Sequence, residues 1–376
     1  MEVQQRQKTY LKALTGLRFF AAIYVVLFHH AGSALSVFPT YVSRLISYGY
    51  ISVSLFFILS GFVLSYTYIN VQSEWSIDSQ RFWTARFARI YPLYLFALII
   101  SAPAFIAKFS ELGKVQSFFT GVFTISLLQA WTPWTATAWN TPAWAVSVEA
   151  FCYFLFPLFA IHINKLSSRT IILITNIFWI IALIPPLLHQ QFIHQKSGWM
   201  TFIIYAPVFH VPQFLMGVCV GVLFLRSTSK TSSSQIYSKV SLLAGISFLV
   251  TFIWLALTPG IPYELPNNGL LAPIFSLLIY TLAYGRGTIA KLLSLPFLTL
   301  LGEASYAIYL LQNPLLSFLK VISEKAAQVD LVSPDFFNSF SFLLCYLFIL
   351  VSISIGAFLF IETPLRRSLL SRLHRQ

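Results

Sequence analysis

Charge is what this chain has least of. Only 9% of its 376 residues are Asp, Glu, Lys or Arg, where a soluble domain carries about a quarter. Acidic residues are the scarcer sign, 11 against 24 Lys plus Arg, for a formal net charge of +13. Cysteine is nearly missing as well. Cys152, Cys219 and Cys345 are isolated and form no CxxC pair, so neither a disulfide framework nor a zinc site is indicated. A P-loop, a Gly-rich dinucleotide fingerprint and an HExxH motif are also lacking, which leaves ATP-driven pumping and zinc proteolysis without support. His189, His194 and His210 are too scattered to argue a metal.

What the chain does have is apolar length. It is 57% hydrophobic and 17% aromatic, and runs long enough to cross a bilayer recur from end to end. Length alone would suggest two or three soluble domains; the composition excludes them. Ten runs read as spans, roughly 12–32, 48–69, 89–109, 142–163, 170–188, 207–225, 239–258, 270–285, 297–320 and 339–361. The expected fold is therefore all-α, a polytopic transmembrane helix bundle forming a single domain over 1–376. Short cytoplasmic tails are expected at about 1–11 and 363–376. The first run contains Arg18 and ends in His29 and His30 instead of a small-residue cleavage site, so it reads as a retained span.

The basic residues fix the expected orientation. With ten spans and both termini cytoplasmic, 18 of the 24 Lys and Arg fall inside; Arg44, Lys108, Lys114, Lys196, Lys320 and Lys325 fall outside. An eleventh run, 118–131, is about 14 residues, a length typical of re-entrant or interfacial segments. Were it to cross, only 10 of the 24 would stay inside. Charges dispersed in this way mark cytoplasmic loops, so the basic balance points to a lipid bilayer and to no nucleic acid. Gly217 and Gly221 form a GxxxG that suits a close helix contact. The Ser/Thr/Lys-rich stretch 227–239 reads as a flexible loop.

Ionisable residues inside spans are costly, about 2.5–3.5 kcal/mol each on insertion scales, and are functional candidates by default. Arg18 and His29 are eleven residues apart, so they share one helix face about 16 Å apart. His29 suits proton transfer near neutral pH; the plainer reading is a histidine satisfied within the bundle. His30 points about 100° away. Arg86 and Arg89, three apart before the third span, present two guanidinium groups suited to phosphate; ordinary positive-inside anchoring is the alternative. Glu149 reads as the one acidic residue well inside a span, able to orient an imidazole or pair with an arginine. Glu303 and Glu362 fall at span ends, where solvation or pairing with Arg366 is expected. Trp131, Trp134, Trp139 and Trp144 close the outer segment 110–141. They suit an interfacial aromatic belt, a stacking platform for a sugar, or both. Trp139, Trp144 and Ser147 are the candidates for contact with such an acceptor.

Taken in order, these residues resemble the acyltransferase-3 family of bacterial membrane O-acyltransferases. Leu14-Thr15-Gly16-Leu17-Arg18 and Val25-Val26-Leu27-Phe28-His29-His30 are similar to its opening pattern, and Ser54 to Phe62 to its second-helix signature. Arg86-Phe87-Ala88-Arg89-Ile90-Tyr91-Pro92 resembles its paired-arginine motif. Trp144-Ala145-Val146-Ser147-Val148-Glu149 resembles its Trp-Ser-Leu-Ser-Val-Glu motif. Ser305 to Leu310 and Glu362-Thr363-Pro364-Leu365-Arg366 resemble its closing motifs. The resemblance spans about 14–366. Three positions depart from it: Thr15 stands for an acidic residue, Ala145 for a serine, and Gln312 where many relatives have histidine.

The resemblance implies transfer of an acyl group, acetyl above all, from cytoplasmic acyl-CoA to a hydroxyl of a cell-surface glycan or lipid-linked saccharide. Arg18, Arg86 and Arg89 would hold the CoA phosphates. His29 would act as general base or transient acyl carrier, and Glu149 would orient and charge it. No resident cofactor or metal is implied; acetyl-CoA or another acyl-CoA is the donor substrate. The expected location is the bacterial inner membrane. A transporter or flippase for a glycan or small anion is the competing reading, since it too needs many spans and buried charge.

Overall fold

The computed structural model describes residues 11–70, 77–107, 113–192, 198–229, 234–328, 336 and 339–373. Among these the structure is helical, with no strand. In chain order the helices are α1 (Lys12–His30), α2 (Thr40–Ser47), α3 (Ile51–Tyr68), α4 (Ser79–Ala107), α5 (Lys114–Ile125), α6 (Trp144–Lys165), α7 (Ser168–Phe192) and α8 (Gly198–Tyr205). They continue as α9 (Val211–Ser229), α10 (Ser234–Leu257), α11 (Glu264–Asn267), α12 (Ala272–Ala283), α13 (Thr288–Leu293), α14 (Pro296–Glu303), α15 (Ser305–Gln328), α16 (Phe340–Ala357) and α17 (Thr363–Leu373). A π-helical turn, Phe358–Glu362, joins the last two.

Nine helical stretches among the described residues are long and apolar enough to cross a membrane, matching nine of the ten expected runs. The tenth, 297–320, is divided. Its first part is α14, and the chain turns at Ala304 before α15, whose Gln312, Asn313 and Lys320 dilute its apolar character. The short run at 118–131 is α-helical only as part of Lys114–Ile125, 12 residues, or about 18 Å of rise, too little to cross about 30 Å of hydrocarbon. The third span starts earlier than expected, at Ser79. Arg86 and Arg89 therefore lie within the helix, not ahead of it. The expected tail 1–11 lies outside the described residues save Leu11, and the tail after 363 is helix to Leu373. Within 227–239 both flanking helices reach in, and 230–233 lie outside the described residues.

Burial separates the helices into a central and a peripheral set. In the apolar windows of α3 and α9, 72% of residues are buried, against 17% in those of α7 and α10. The surface of α7 carries Ile172, Leu173, Ile177, Ile180, Ile181 and Ile184, an apolar face suited to acyl chains. The central pair meet backbone to backbone. A Cβ on Gly217 would stand 2.0 Å from the Ile58 carbonyl oxygen, and one on Gly61 2.1 Å from that of Phe214. The GxxxG thus serves the close crossing expected of it. A second such crossing holds the first helix. A Cβ on Gly16 would lie 2.0 Å from the Leu293 oxygen, and one on Gly302 1.9 Å from that of Thr15. That crossing seats Arg18, one turn short of α1's middle, against the α14–α15 junction.

Candidate functional site

Five helices turn polar side chains into one cavity of about 170 Å³. α1 supplies Arg18; α3 supplies Val53, Phe56, Phe57, Ser60 and Val63, which recur at helical spacing along one face. α4 brings Arg86, Arg89 and Ile90, and α6 brings Ala145, Val146, Glu149 and Tyr153. α15 closes the ring with Ser305, Tyr306 and Tyr309. The Tyr306 hydroxyl donates to the Ile90 carbonyl at 2.9 Å, tying α15 to α4 across the cavity.

One end is cationic. The Arg86 guanidinium donates to the Tyr68 hydroxyl at 3.1 Å and lies over the Tyr68 and Tyr153 rings, 5.4 and 6.0 Å from their centroids. Its Nε is buried without a partner. Among the described residues Arg18 makes no hydrogen bond or ion pair, and neither Arg18 nor Arg86 meets a carboxylate within ion-pair distance. Arg89 is different. It is ion-paired with Glu362, and its second nitrogen is 4.0 Å from a Glu303 oxygen. Glu362 is fully buried, which corrects its expected pairing with Arg366 at a solvated span end. The helix runs on through Thr363–Leu373, so Glu362 is interior, and the π turn aims it at α4.

Toward the middle, Glu149 is held by hydroxyls. Tyr153, one turn along the same helix, donates to its carboxylate, and Ser60 donates from α3 at 3.3 Å. The Ser60 hydroxyl also lies 3.4 Å from that of Tyr153.

The other end is neutral. His29 Nδ1 is 2.9 Å from Gln312 Oε1. Gln312, fully buried, donates through Nε2 to the Tyr309 carbonyl at 2.8 Å, and its own carbonyl accepts from the Tyr346 hydroxyl at 3.0 Å. Tyr309 lines the cavity, so His29 stands about one helical turn beyond it. His29 itself is exposed, whereas His30 is half-buried with its ring against Tyr346. The expected contact between His29 and Glu149 is not formed. Tyr153 and Ser60 both donate to Oε1 of Glu149, and α15, not α6, supplies the partner of the imidazole.

The candidates for acceptor contact divide. Trp144 is packed among Phe57, Tyr205 and His210, and the Ser147 hydroxyl is committed to the Leu127 carbonyl at 2.5 Å. That bond sits at the one non-glycine residue with positive φ among those described, Leu127 at 59°. Trp139 stacks on Phe105, centroids 4.3 Å apart, with its indole nitrogen buried and unpartnered. Next to it, Asn140 donates to the Leu310 carbonyl at 3.0 Å and binds the segment ahead of α6 to α15.

Sequence reasoning missed Gln312, Tyr153, Ser60 and Glu362 as parts of the site. Tyr153 was readable as the i+4 neighbour of Glu149. Glu362 was masked by an Arg366 at the same spacing. A buried carboxylate away from the cavity was also missed: Glu264 lies 3.3 Å from His189 Nδ1.

A helical, multi-pass membrane protein with arginines, a hydroxyl-held glutamate and a histidine arranged along one internal cavity is the class that fold and site define. The comparisons with known proteins narrow it. An acyltransferase domain of the acyltransferase-3 family matches residues 11–360, and the chain belongs to that family. It is 34% identical to an acyltransferase, MdmB, of Streptomyces mycarofaciens over 42% of this chain and 41% of that protein. It is 26% identical to the O-acetyltransferase OatA of Staphylococcus aureus, over 95% of this chain and 57% of that protein. The chain thus spans about half the length of the curated relatives it matches. No solved structure matches it.

Proposed function

We propose that this chain is a membrane O-acyltransferase that moves an acyl group, acetyl in our reading, from acyl-CoA to a hydroxyl of a cell-surface or exported glycan. The observation that carries the reading is the single cavity that joins Arg18, Arg86 and Arg89 to Glu149 and Tyr309, with His29 one turn further. Guanidinium groups without a carboxylate partner among the described residues, as at Arg18 and Arg86, suit the phosphates of CoA. Arg89 lines the same end with its charge shared by Glu362. A cavity of about 170 Å³ is smaller than the ~300–1,000 Å³ that encloses a drug-sized ligand. It suits the narrow acyl-pantetheine end, with the nucleotide left at the arginine mouth.

In this reading the arginine end faces the cytoplasm, both termini are cytoplasmic, and the membrane is the bacterial inner membrane. His29 is the general base on the acceptor hydroxyl. Glu149, held by two hydroxyls, acts on bound substrate within the cavity instead of through the imidazole. Trp139 beside the outer segment is the candidate for stacking on the sugar. Support for acetyl as the group comes from the name of the staphylococcal relative.

The test is incubation of the purified protein in nanodiscs with labelled acetyl-CoA and a glycan extract, beside His29→Ala and Glu149→Gln. Label should pass to glycan in the parent and be lost in the histidine variant. Transfer that survives both substitutions would sink the assignment of these residues. Folded protein that neither transfers label nor releases CoA would favour a transporter.

A further inference from the structure

We propose that Gln312 is a positioning residue that locks His29 in one tautomer, with the proton on Nδ1 and the lone pair on Nε2. The inference rests on the acyltransferase reading for its catalytic meaning, but its geometry stands alone. The Gln312 amide has one allowed orientation. A backbone carbonyl can only accept, so the group 2.8 Å from the Tyr309 oxygen must be the amide nitrogen. That leaves Oε1 facing His29 Nδ1 at 2.9 Å. An amide oxygen also only accepts, so Nδ1 must bring the hydrogen. In a neutral imidazole the hydrogen bond made by one nitrogen decides the state of the other. Nε2 is thereby left bare.

Free imidazole in water favours the opposite tautomer, so the lock changes what His29 can do. Without it, the exposed ring would mostly present an N–H where a base is needed. Rigidity supports the lock. Gln312 is fully buried, its backbone is held by the Tyr346 hydroxyl at 3.0 Å, and the preceding turn is pinned by Asn140 through the Leu310 carbonyl. His30 stands beside it, its ring centroid 5.7 Å from that of His29 and its other side against Tyr346.

The step is then fully specified. The acceptor O–H bond breaks and its proton goes to His29 Nε2. The oxygen's electron pair forms the bond to the acyl carbon, the carbon–sulfur bond breaks, and the CoA thiolate leaves with the pair of that broken bond. Nε2 then gives the proton to the sulfur. Throughout, Nδ1–H stays on Gln312. The amide orients the ring and, being neutral, leaves the transient imidazolium without a counter-charge, which favours return of the proton. An imidazole at this position would not settle its own tautomer so firmly.

The experiment is nitrogen NMR of protein labelled with ¹⁵N-histidine in nanodiscs, with the His29 signals assigned by their loss in His29→Ala. The parent should show a protonated Nδ1 and a bare Nε2. In Gln312→Met, which keeps the length but not the acceptor, the hydrogen should move to Nε2, and kcat should fall by roughly 10–100-fold with KM for acyl-CoA held. Gln312→Glu, which restores an acceptor, should recover the Nδ1–H signal. A parent spectrum with the proton on Nε2, or one that Gln312→Met leaves unchanged, overturns the proposal. A locked ring in a protein that transfers no acyl group would instead refute the acyltransferase reading and leave the lock standing.

Discussion

The two ends of the cavity handle polarity in opposite ways. At the arginine end, charge is stacked on charge. Among the described residues Arg18 and Arg86 have no carboxylate partner, while Arg89 is held by the buried Glu362 and approached by Glu303. At the histidine end every bond is between neutral groups, from His29 through Gln312 to the Tyr309 carbonyl and the Tyr346 hydroxyl. The contrast matches the roles proposed for the two ends. A bare guanidinium costs the fold free energy that only an incoming anion returns, so it suits binding. A hydrogen-bonded imidazole can change protonation state without disturbing an ion-pair network, so it suits proton transfer. Glu149, between them, carries charge but is satisfied by hydroxyls.

If the ends divide binding from chemistry, the largest effect belongs to the histidine. His29→Ala should lower kcat by about 10²–10⁴-fold, the usual worth of a general base, with KM for acyl-CoA little changed. Equal losses in kcat and in donor affinity would erase the distinction between the ends. The next effect is structural. Glu362→Gln leaves the half-buried Arg89 with only the 4.0 Å approach of Glu303, and breaking a buried pair costs up to about 3–5 kcal/mol; a fall in melting temperature would report it. Replacing both partners, Arg89→Met with Glu362→Leu, should restore much of that stability, because an apolar pair of similar volume escapes desolvation. Donor KM in that double variant then reads whether Arg89 binds phosphate or only clamps the last helix to α4.

Much of the fold was legible from the chain because a bilayer leaves few options. Runs long enough to cross it must be helices, and among the described residues nine of the ten expected ones form helical stretches long and apolar enough to do so. What sequence could not show was a turn inside an apolar run, as at Ala304, or a helix that continues past its apolar part, as at Glu362. The arginines and Glu149 were readable as costly residues inside spans; their meeting in one cavity, across three helices, was not. Nor were the partners. Which carboxylate reaches Arg89 depends on a π turn and which group reaches His29 on the face of α15, and neither leaves a periodic trace. Gln312 was noticed only as a departure from a resemblance. Its role needed the Tyr309 carbonyl, three residues back, to fix the amide.

Arg86→Ala should sit below these in effect. A charge-assisted hydrogen bond is worth about 1.5–3 kcal/mol, so donor KM should rise by roughly 10–100-fold while kcat stays within a few-fold. Arg86→Lys should recover only part of the loss. A point charge replaces the planar group that now lies over Tyr68 and Tyr153, and the hydrogen bond to the Tyr68 hydroxyl must be remade from a different angle. If lysine restored donor affinity in full, shape would be irrelevant at this end and charge alone would define it.

The smallest effect tests the frame that holds both ends in place. At Gly217 a methyl group would stand 2.0 Å from the Ile58 carbonyl oxygen, a backbone atom that cannot swing aside. Gly217→Ala must therefore push α9 and α3 apart, and overpacking of this kind costs about 1–3 kcal/mol. Residues that line the cavity from α3, among them Phe57 and Ser60, lie within a turn of the contact. The displacement should consequently reach Ser60 and the carboxylate it serves, while the His29–Gln312 pair, carried by α1 and α15, stays in place. Melting temperature should fall modestly, and the histidine nitrogen signals should not move. A shift of the His29 signals in this variant would mean that the two ends are mechanically coupled through the central helices, and that the separation between binding and proton transfer is one of chemistry alone.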